Sequence, residues 1–76
     1  MILPIQCKMA RAAVGWGVRD LAKNAGVSAD TVSRFERGEE LLPRTLEAIK
    51  QALEGAGIVF LNDDGKSPGV RLRKTE

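Results

Sequence analysis

The residues of this sequence best suited to chemistry lie between positions 29 and 37. At helical spacing, the face opposite Val32 and Phe35 carries Ala29, Asp30, Ser33, Arg34 and Arg37. An arginine can pair with guanine or bind phosphate, a serine can hydrogen-bond to several bases, and an alanine can pack on the methyl group of thymine. This combination predicts a helix that enters the major groove of DNA, although an ordinary solvated helix surface would have a similar charge pattern.

Acidic residues in and after this segment oppose that interpretation. Asp30 lies near its start, and Glu39 and Glu40 follow it. Two roles are open to Asp30: it can accept a hydrogen bond from the amino group of cytosine, or it can interact with the helix dipole in the first turn. We favour the second role. Glu39 and Glu40 should weaken non-specific attraction to phosphates and its dependence on salt.

Hydrophobic spacing and helix-ending residues predict four short helices. They cover roughly residues 5–14, 18–25, 29–37 and 44–54. The same spacing predicts which side chains pack in the core, in chain order Ile5, Met9, Ala12, Ala13, Trp16, Leu21, Ala22, Val32, Phe35, Leu46, Ile49 and Leu53.

A turn signal separates the second and third helices. Gly26 ends one helix, and Ser28 is a favourable N-cap for the next. The glycine can take the sharp bend, and Val27 can fill the angle between the helices. Two short helices joined in this way predict a helix-turn-helix, whose second helix can lie in the major groove with its N-terminal residues facing base edges.

After Gly57 the pattern changes from helix to strand. Residues 58–61 are β-branched and aromatic, residues 70–73 alternate apolar and basic, and turn residues separate them. Two short strands are predicted, paired either as a hairpin or across a dimer. Because an isolated two-stranded ribbon is marginal in water, we favour pairing with a second chain. A loosely ordered tail is the alternative.

These elements predict a mainly α fold in two parts. Residues 1–57 should form a compact bundle of four to five short helices containing the helix-turn-helix. Residues 58–76 should form a β extension, either a hairpin or dimer-forming strands. With 76 residues, the chain makes one small core, and a second copy could help to complete it.

Composition argues against several classes of function. The sequence has no histidine and one cysteine, and it lacks a glycine-rich phosphate loop and a metal-ligand cluster. We therefore expect no enzyme activity, cofactor or metal site, and a structural role for Cys7. No apolar run is long enough for a signal peptide or a membrane span, so we expect the chain to stay in the cytoplasm without membrane contact.

The charge of the chain is unevenly distributed. The net charge is +2, yet residues 1–65 carry eight basic and nine acidic side chains. The basic excess lies in the tail, at Lys66, Arg71, Arg73 and Lys74. These charges could steer DNA, or they could protect a short edge strand from aggregation.

Three motifs carry a resemblance to a known family. They are RxxxGW from Arg11, LAxxAGVSxxTVSRFERG from Leu21, and PxTLxAIxxAL from Pro43. With them, residues 5–57 resemble the lambda-repressor-like (Xre/Cro-type) helix-turn-helix family. The resemblance implies a bundle of four or five helices, dimeric binding to a palindromic operator in double-stranded DNA, and regulation of transcription.

The resemblance also implies roles for individual residues. Ala29, Asp30, Ser33 and Arg34 would face bases, whereas Arg44 and the turn after the third helix would touch phosphate. Arg11 would pair with Glu36 as part of the scaffold, where an unpaired carboxylate would be costly. The complete set of predicted DNA contacts is Ser28, Ala29, Asp30, Ser33, Arg34, Arg37 and Arg44.

A second class of function is a helix-turn-helix fold used to bind another protein. The neutral body, the acidic pair Glu39 and Glu40, and an exposed apolar pair at Leu41 and Leu42 favour it. The partner-binding half of a toxin–antitoxin pair would be one example, with weak DNA binding or none. The basic residues of the third helix and the tail favour DNA instead.

Overall fold

The computed structural model describes residues 2–61 and 67–73, and within them the chain is mainly helical. The helices are α1 (Pro4–Val14), α2 (Val18–Ala25), α3 (Ala29–Glu36) and α4 (Pro43–Gly55). Two strands follow, β1 (Ile58–Leu61) and β2 (Gly69–Leu72). The predicted fold class is confirmed: a small antiparallel strand pair is added to a compact helical bundle.

A core of aliphatic and aromatic side chains holds the helix-turn-helix against α4. Leu21, Val32, Phe35, Ile49 and Leu53 are all buried, as their spacing predicted. Each such side chain contributes about 1.5–3 kcal/mol relative to leaving it in water. The inner faces of α2 and α3 are therefore committed to packing, so only their outer faces are available to a ligand.

The prediction for the buried face of α1 was wrong. Ile5 is 51% exposed, and Ala12 and Ala13 are exposed as well. The fully buried positions of this helix are Cys7, Ala10 and, unexpectedly, the polar Gln6. The apolar pattern predicted the wrong buried face because α1 is rotated so that Gln6, and not Ile5, lies against the strands.

Gln6 explains that rotation because its side chain joins three segments of backbone. Its Nε2 donates to the carbonyl oxygens of Leu61 at 3.2 Å and Gly69 at 3.0 Å, and its Oε1 accepts from the amide of Leu3 at 2.8 Å. A buried amide is tolerated where it is hydrogen-bonded in this way. The side chain links the start of α1 to both strands.

The two strands pair with each other within the chain. They run antiparallel, with Ile58 opposite Leu72 and Phe60 opposite Val70. The preference for pairing with a second chain was therefore wrong: β1 and β2 pair with each other, and Gln6 of α1 binds both strands. Buried Ile58 belongs to the same core as the helices. The observed second strand begins one residue before the predicted range of 70–73.

Part of the predicted C-terminal extension lies outside the described residues. The part outside comprises residues 62–66 of the proposed turn, which include Asp63, Asp64 and Lys66. It also includes Lys74 of the basic tail.

Candidate nucleic-acid interface

The turn between α2 and α3 is fixed by local hydrogen bonds. Gly26 has a φ of 73°, a left-handed conformation that glycine adopts without steric cost. The amide of Val27 donates to the carbonyl of Ala22 at 3.0 Å. Ser28 caps α3, since its Oγ accepts from the amide of Thr31 at 3.0 Å and contacts the Thr31 hydroxyl at 2.8 Å. These local contacts fix the path of the chain from α2 into α3.

Of the predicted base-facing residues, Asp30 and Arg34 lie on the side of α3 opposite its buried stripe, whereas the prediction for Ala29 was wrong because it lies beside that stripe. Asp30 and Arg34 are exposed, whereas Ala29 and Ser33 are half-buried. Ala29 packs against the core, so only part of its methyl group is available to a thymine. Ser28 is exposed, with its hydroxyl already engaged in the cap. The outward surface of α3 is thus dominated by the charged pair.

Asp30 and Arg34 contact each other, one helical turn apart. Arg34 Nε lies 3.0 Å from Asp30 Oδ2. Neither role considered for Asp30 included this ion pair. An acidic and a basic residue four positions apart on a helix nevertheless predict such a pair. The candidate base-reading arginine therefore has an acidic partner on its own helix.

The two other predicted basic contacts follow α3. Arg37 is the C-cap residue of the helix and is exposed, with its Nη2 3.8 Å from Glu39 Oε2. Arg44 is exposed in the first turn of α4, directly after Pro43. Amide groups at a helix N-terminus attract anions, and a basic side chain there adds to that attraction. Glu39 partly offsets the charge of Arg37, whereas Arg44 adds to the positive field of its helix.

Arg11 and Glu36 hold α3 against α1. The guanidinium donates twice to the carboxylate, from Nε to Oε2 at 2.7 Å and from Nη2 to Oε1 at 2.8 Å. Arg11 Nη1 also donates to the carbonyl of Trp16 at 3.2 Å, which ties the segment between α1 and α2 to the same group. Glu36 is thus turned inward, away from the outer face of α3.

Cys7 completes this cluster. Its Sγ is buried and donates to Glu36 Oε2 at 3.0 Å. Burial raises the pKa of the Cys7 thiol far above its usual range, and the neighbouring Glu36 carboxylate adds to that rise. Burial alone would also raise the pKa of Glu36, but hydrogen bonds from Arg11 and Cys7 outweigh it, and the pKa of the carboxyl is lowered. Glu36 is therefore ionised and Cys7 a neutral donor at neutral pH.

The expected apolar pair at Leu41 and Leu42 is not exposed as a unit. Leu41 is half-buried and packs against the core, lining a groove with Ile2 and Phe35. Leu42 is 60% exposed at the N-cap of α4. The exposed-pair prediction was wrong for Leu41, because the loop folds back over the end of the core.

Part of the basic tail binds the body of the protein. The Arg73 amide donates to the carbonyl of Gly57 at 2.7 Å, and its Nη2 donates to the carbonyl of Glu54 at 3.4 Å. A basic group near the C-terminus of α4 interacts favourably with the helix dipole. Arg71 is exposed on β2. The tail therefore has a structural contact that neither earlier explanation of its charges included.

Sequence reasoning missed the polar contacts between distant segments. The hydrogen bonds of Gln6 to the strands and of Cys7 to Glu36 have no local signal in the sequence.

In the part of the chain that the structure describes, we find no group of acidic, histidine or cysteine side chains able to hold a metal ion. None of the helices described has the length and apolar character needed to cross a bilayer.

A capped turn between two short helices, with one buried face and one polar face on the second, defines a helix-turn-helix protein. A family model described as "Helix-turn-helix domain" matches residues 6–58, more than half of the chain. The chain belongs to this family, which indicates a DNA-binding regulator. A comparison with curated proteins finds no significant match.

Proposed function

We propose that this protein is a sequence-specific regulator of transcription of the lambda-repressor-like (Xre/Cro) type, which binds double-stranded DNA as a homodimer. α3 enters the major groove, with Asp30, Ser33 and Arg34 facing base edges. The observation that carries the proposal is the arrangement of α3, whose inner face is locked into the core and whose outer face presents a guanidinium.

Rigid support for α3 favours the reading of bases. The helix is fixed at its start by Ser28 and at its end by Glu36, which is bound to Arg11. Base recognition requires a side chain held in register with a short pattern of donors and acceptors. Arg44, exposed at the start of α4, fits a contact with the adjacent phosphates.

A homodimer fits the size of the recognition surface. One short helix contacts few bases, and two copies related by a two-fold axis would place their helices in successive major grooves about 34 Å apart. Such an operator would be palindromic. Exposed leucine and isoleucine side chains at both ends of the strand pair and at the start of α1 could be covered by the second copy; they are Leu3, Ile5, Leu61 and Leu72.

The mechanism we propose is occupancy of the operator, which would block or recruit polymerase. It requires no catalytic group and no cofactor. The absence of histidine from the sequence and the engagement of its one thiol with Glu36 are consistent with a protein that works by binding alone.

Selection from a random duplex library tests the proposal. The full chain should enrich a palindrome with two spaced half-sites, and Arg34→Ala should lose preference at symmetric positions in the two halves. Glu54→Ala is a suitable control because position 54 lies ten residues beyond Arg44, about 15 Å further along α4. Enrichment of unrelated sequences only would refute sequence-specific binding.

A second candidate is a protein-interaction module, as in the partner-binding half of a toxin–antitoxin pair. It is favoured by Leu42, which is 60% exposed, and by the partial neutralisation of Arg37 by Glu39. On this alternative, Leu42→Ser would abolish capture of a partner, while Arg34→Ala would have no effect on it. The DNA proposal predicts instead that Arg34→Ala reduces DNA binding more than Leu42→Ser does.

A further inference from the structure

The ion pair between Asp30 and Arg34 lies on the most exposed part of α3. Arg34 Nε is 3.0 Å from Asp30 Oδ2, and the two side chains are 44% and 74% exposed. Exposed pairs of this spacing contribute little to helix stability. The main consequence of the contact is therefore for the position and charge of Arg34 itself.

The first consequence is that Arg34 is oriented before it meets DNA. A free arginine loses rotamer freedom when it is immobilised at an interface. A carboxylate on the preceding turn restricts the side chain in advance. Because the contact is made at Nε, the guanidinium edge formed by Nη1 and Nη2 remains available to an outside acceptor, and this edge can donate to both O6 and N7 of guanine.

The second consequence is that Arg34 discriminates between its two possible ligands. Asp30 offsets the charge of the guanidinium and would repel an approaching phosphate. The acceptor edge of guanine carries no net charge and is not repelled in the same way. An arginine paired with an acid is thus better suited to a base edge than to the DNA backbone.

We propose that Asp30 is a positioning residue, which directs Arg34 to guanine and away from phosphate. The inference rests on the proposed function and deepens it, because it assigns a guanine to the half-site position nearest Arg34. Asp30 acts through Arg34 and not by contacting cytosine itself. The acidic residue that weakened the DNA interpretation of the sequence becomes a determinant of specificity.

The test compares the wild-type chain with Asp30→Ala, Asp30→Glu, Arg34→Ala and the Asp30→Ala/Arg34→Ala double variant. Each is measured by selection on a random duplex library and by salt titration on the selected site and on random duplex. Asp30→Ala should reduce the preference for guanine at the Arg34-dependent position about twofold, the size of effect that an exposed pair of this spacing can supply. It should also raise affinity for random duplex and steepen its salt dependence.

Controls separate positioning from net charge. Asp30→Glu, which can still pair across one helical turn, should retain the guanine preference. Glu54→Ala removes the same charge elsewhere and should leave that preference unchanged. In the Arg34→Ala background, removal of Asp30 should have no further effect on the selected bases.

The outcomes also separate this inference from the proposed function. If the wild-type chain selects a palindrome but Asp30→Ala selects the same base frequencies, the positioning role is wrong and the DNA proposal stands. If Asp30→Ala alters the selected bases equally with and without Arg34, Asp30 reads a base directly and the inference is also wrong. If the wild-type chain selects nothing, the proposed function fails first.

Discussion

Arg11 and Glu36 join two helices that are separated in sequence by the whole of α2, through paired hydrogen bonds of 2.7 and 2.8 Å. The carboxylate side chain is 7% exposed and the guanidinium side chain 21%. This contact fixes the C-terminal end of α3 and turns Glu36 away from the outer face. Glu36 is therefore part of the scaffold and does not lie on the face of α3 that would meet DNA.

Removing one partner of this pair should be strongly destabilising. Arg11→Ala leaves a buried carboxylate without its main donor and should lower the free energy of unfolding by about 3 kcal/mol. Arg34→Ala, which breaks an exposed pair, should change it by no more than about 0.5 kcal/mol. Urea denaturation measures both. A double Arg11→Met/Glu36→Met variant should recover much of the loss, because two apolar side chains leave no unpaired charge.

The stability should also depend on pH through Glu36. The pKa of its carboxyl is lower in the folded than in the unfolded chain. The unfolded state therefore binds the proton first, so the stabilisation is complete above the ordinary carboxyl value of about 4.3 and is lost as the pH falls through the folded pKa. Glu36→Gln should be less stable than the wild-type chain at pH 7. Its free energy of unfolding should fall less steeply with decreasing pH below about pH 5. Parallel urea curves for both chains at each pH test this, and identical slopes would contradict it.

The helix-turn-helix could be predicted from sequence because its signals are local. Gly26 and Ser28 lie at the two ends of the turn, and the predicted bounds of 18–25 for the second helix match α2. The face of α1 could not be predicted in the same way. Gln6 is buried by carbonyl groups 55 and 63 residues further along the chain, which no local periodicity reveals.

The candidate interface was predictable to an intermediate degree. The spacing of Val32 and Phe35 identified which side of α3 faces outward. The i, i+4 spacing of Asp30 and Arg34 could have predicted their contact. Only a cytosine contact or the helix dipole was instead considered for Asp30. The return of Leu41 to the core depends on the path of the loop, for which residues 39–42 carry no local signal.

Gln6 should be required for docking of the strands. In Gln6→Leu, two strand carbonyls and the Leu3 amide lose their partner, and the free energy of unfolding should fall by about 1–3 kcal/mol. Gln6→Glu should be worse at neutral pH, because a carboxylate would face the oxygens of Leu61 and Gly69. Gln51→Leu is the matched control, since Gln51 is exposed on α4. Equal effects of the two leucine variants would contradict the role given to Gln6.

The acidic loop after α3 should limit non-specific binding, and its two glutamates should do so unequally. Glu39 Oε2 lies 3.8 Å from Arg37 Nη2, so Glu39→Lys both adds a positive charge and releases Arg37. Each additional phosphate contact steepens the slope of log K against log salt by about 0.9. On this basis Glu39→Lys should steepen the slope for random duplex by up to about 2, and Glu40→Lys by about 1.

Fluorescence anisotropy on a random duplex over a salt series measures these slopes, with Glu54→Lys as the charge-matched control at the far end of α4. The control should have the smallest effect, because exposed charges more than about 10 Å from a phosphate are screened at 0.1 M salt. If all three variants raise affinity equally, net charge alone governs the binding. A larger effect at position 39 than at position 40 would place Arg37 among the groups that the loop holds back from the DNA backbone.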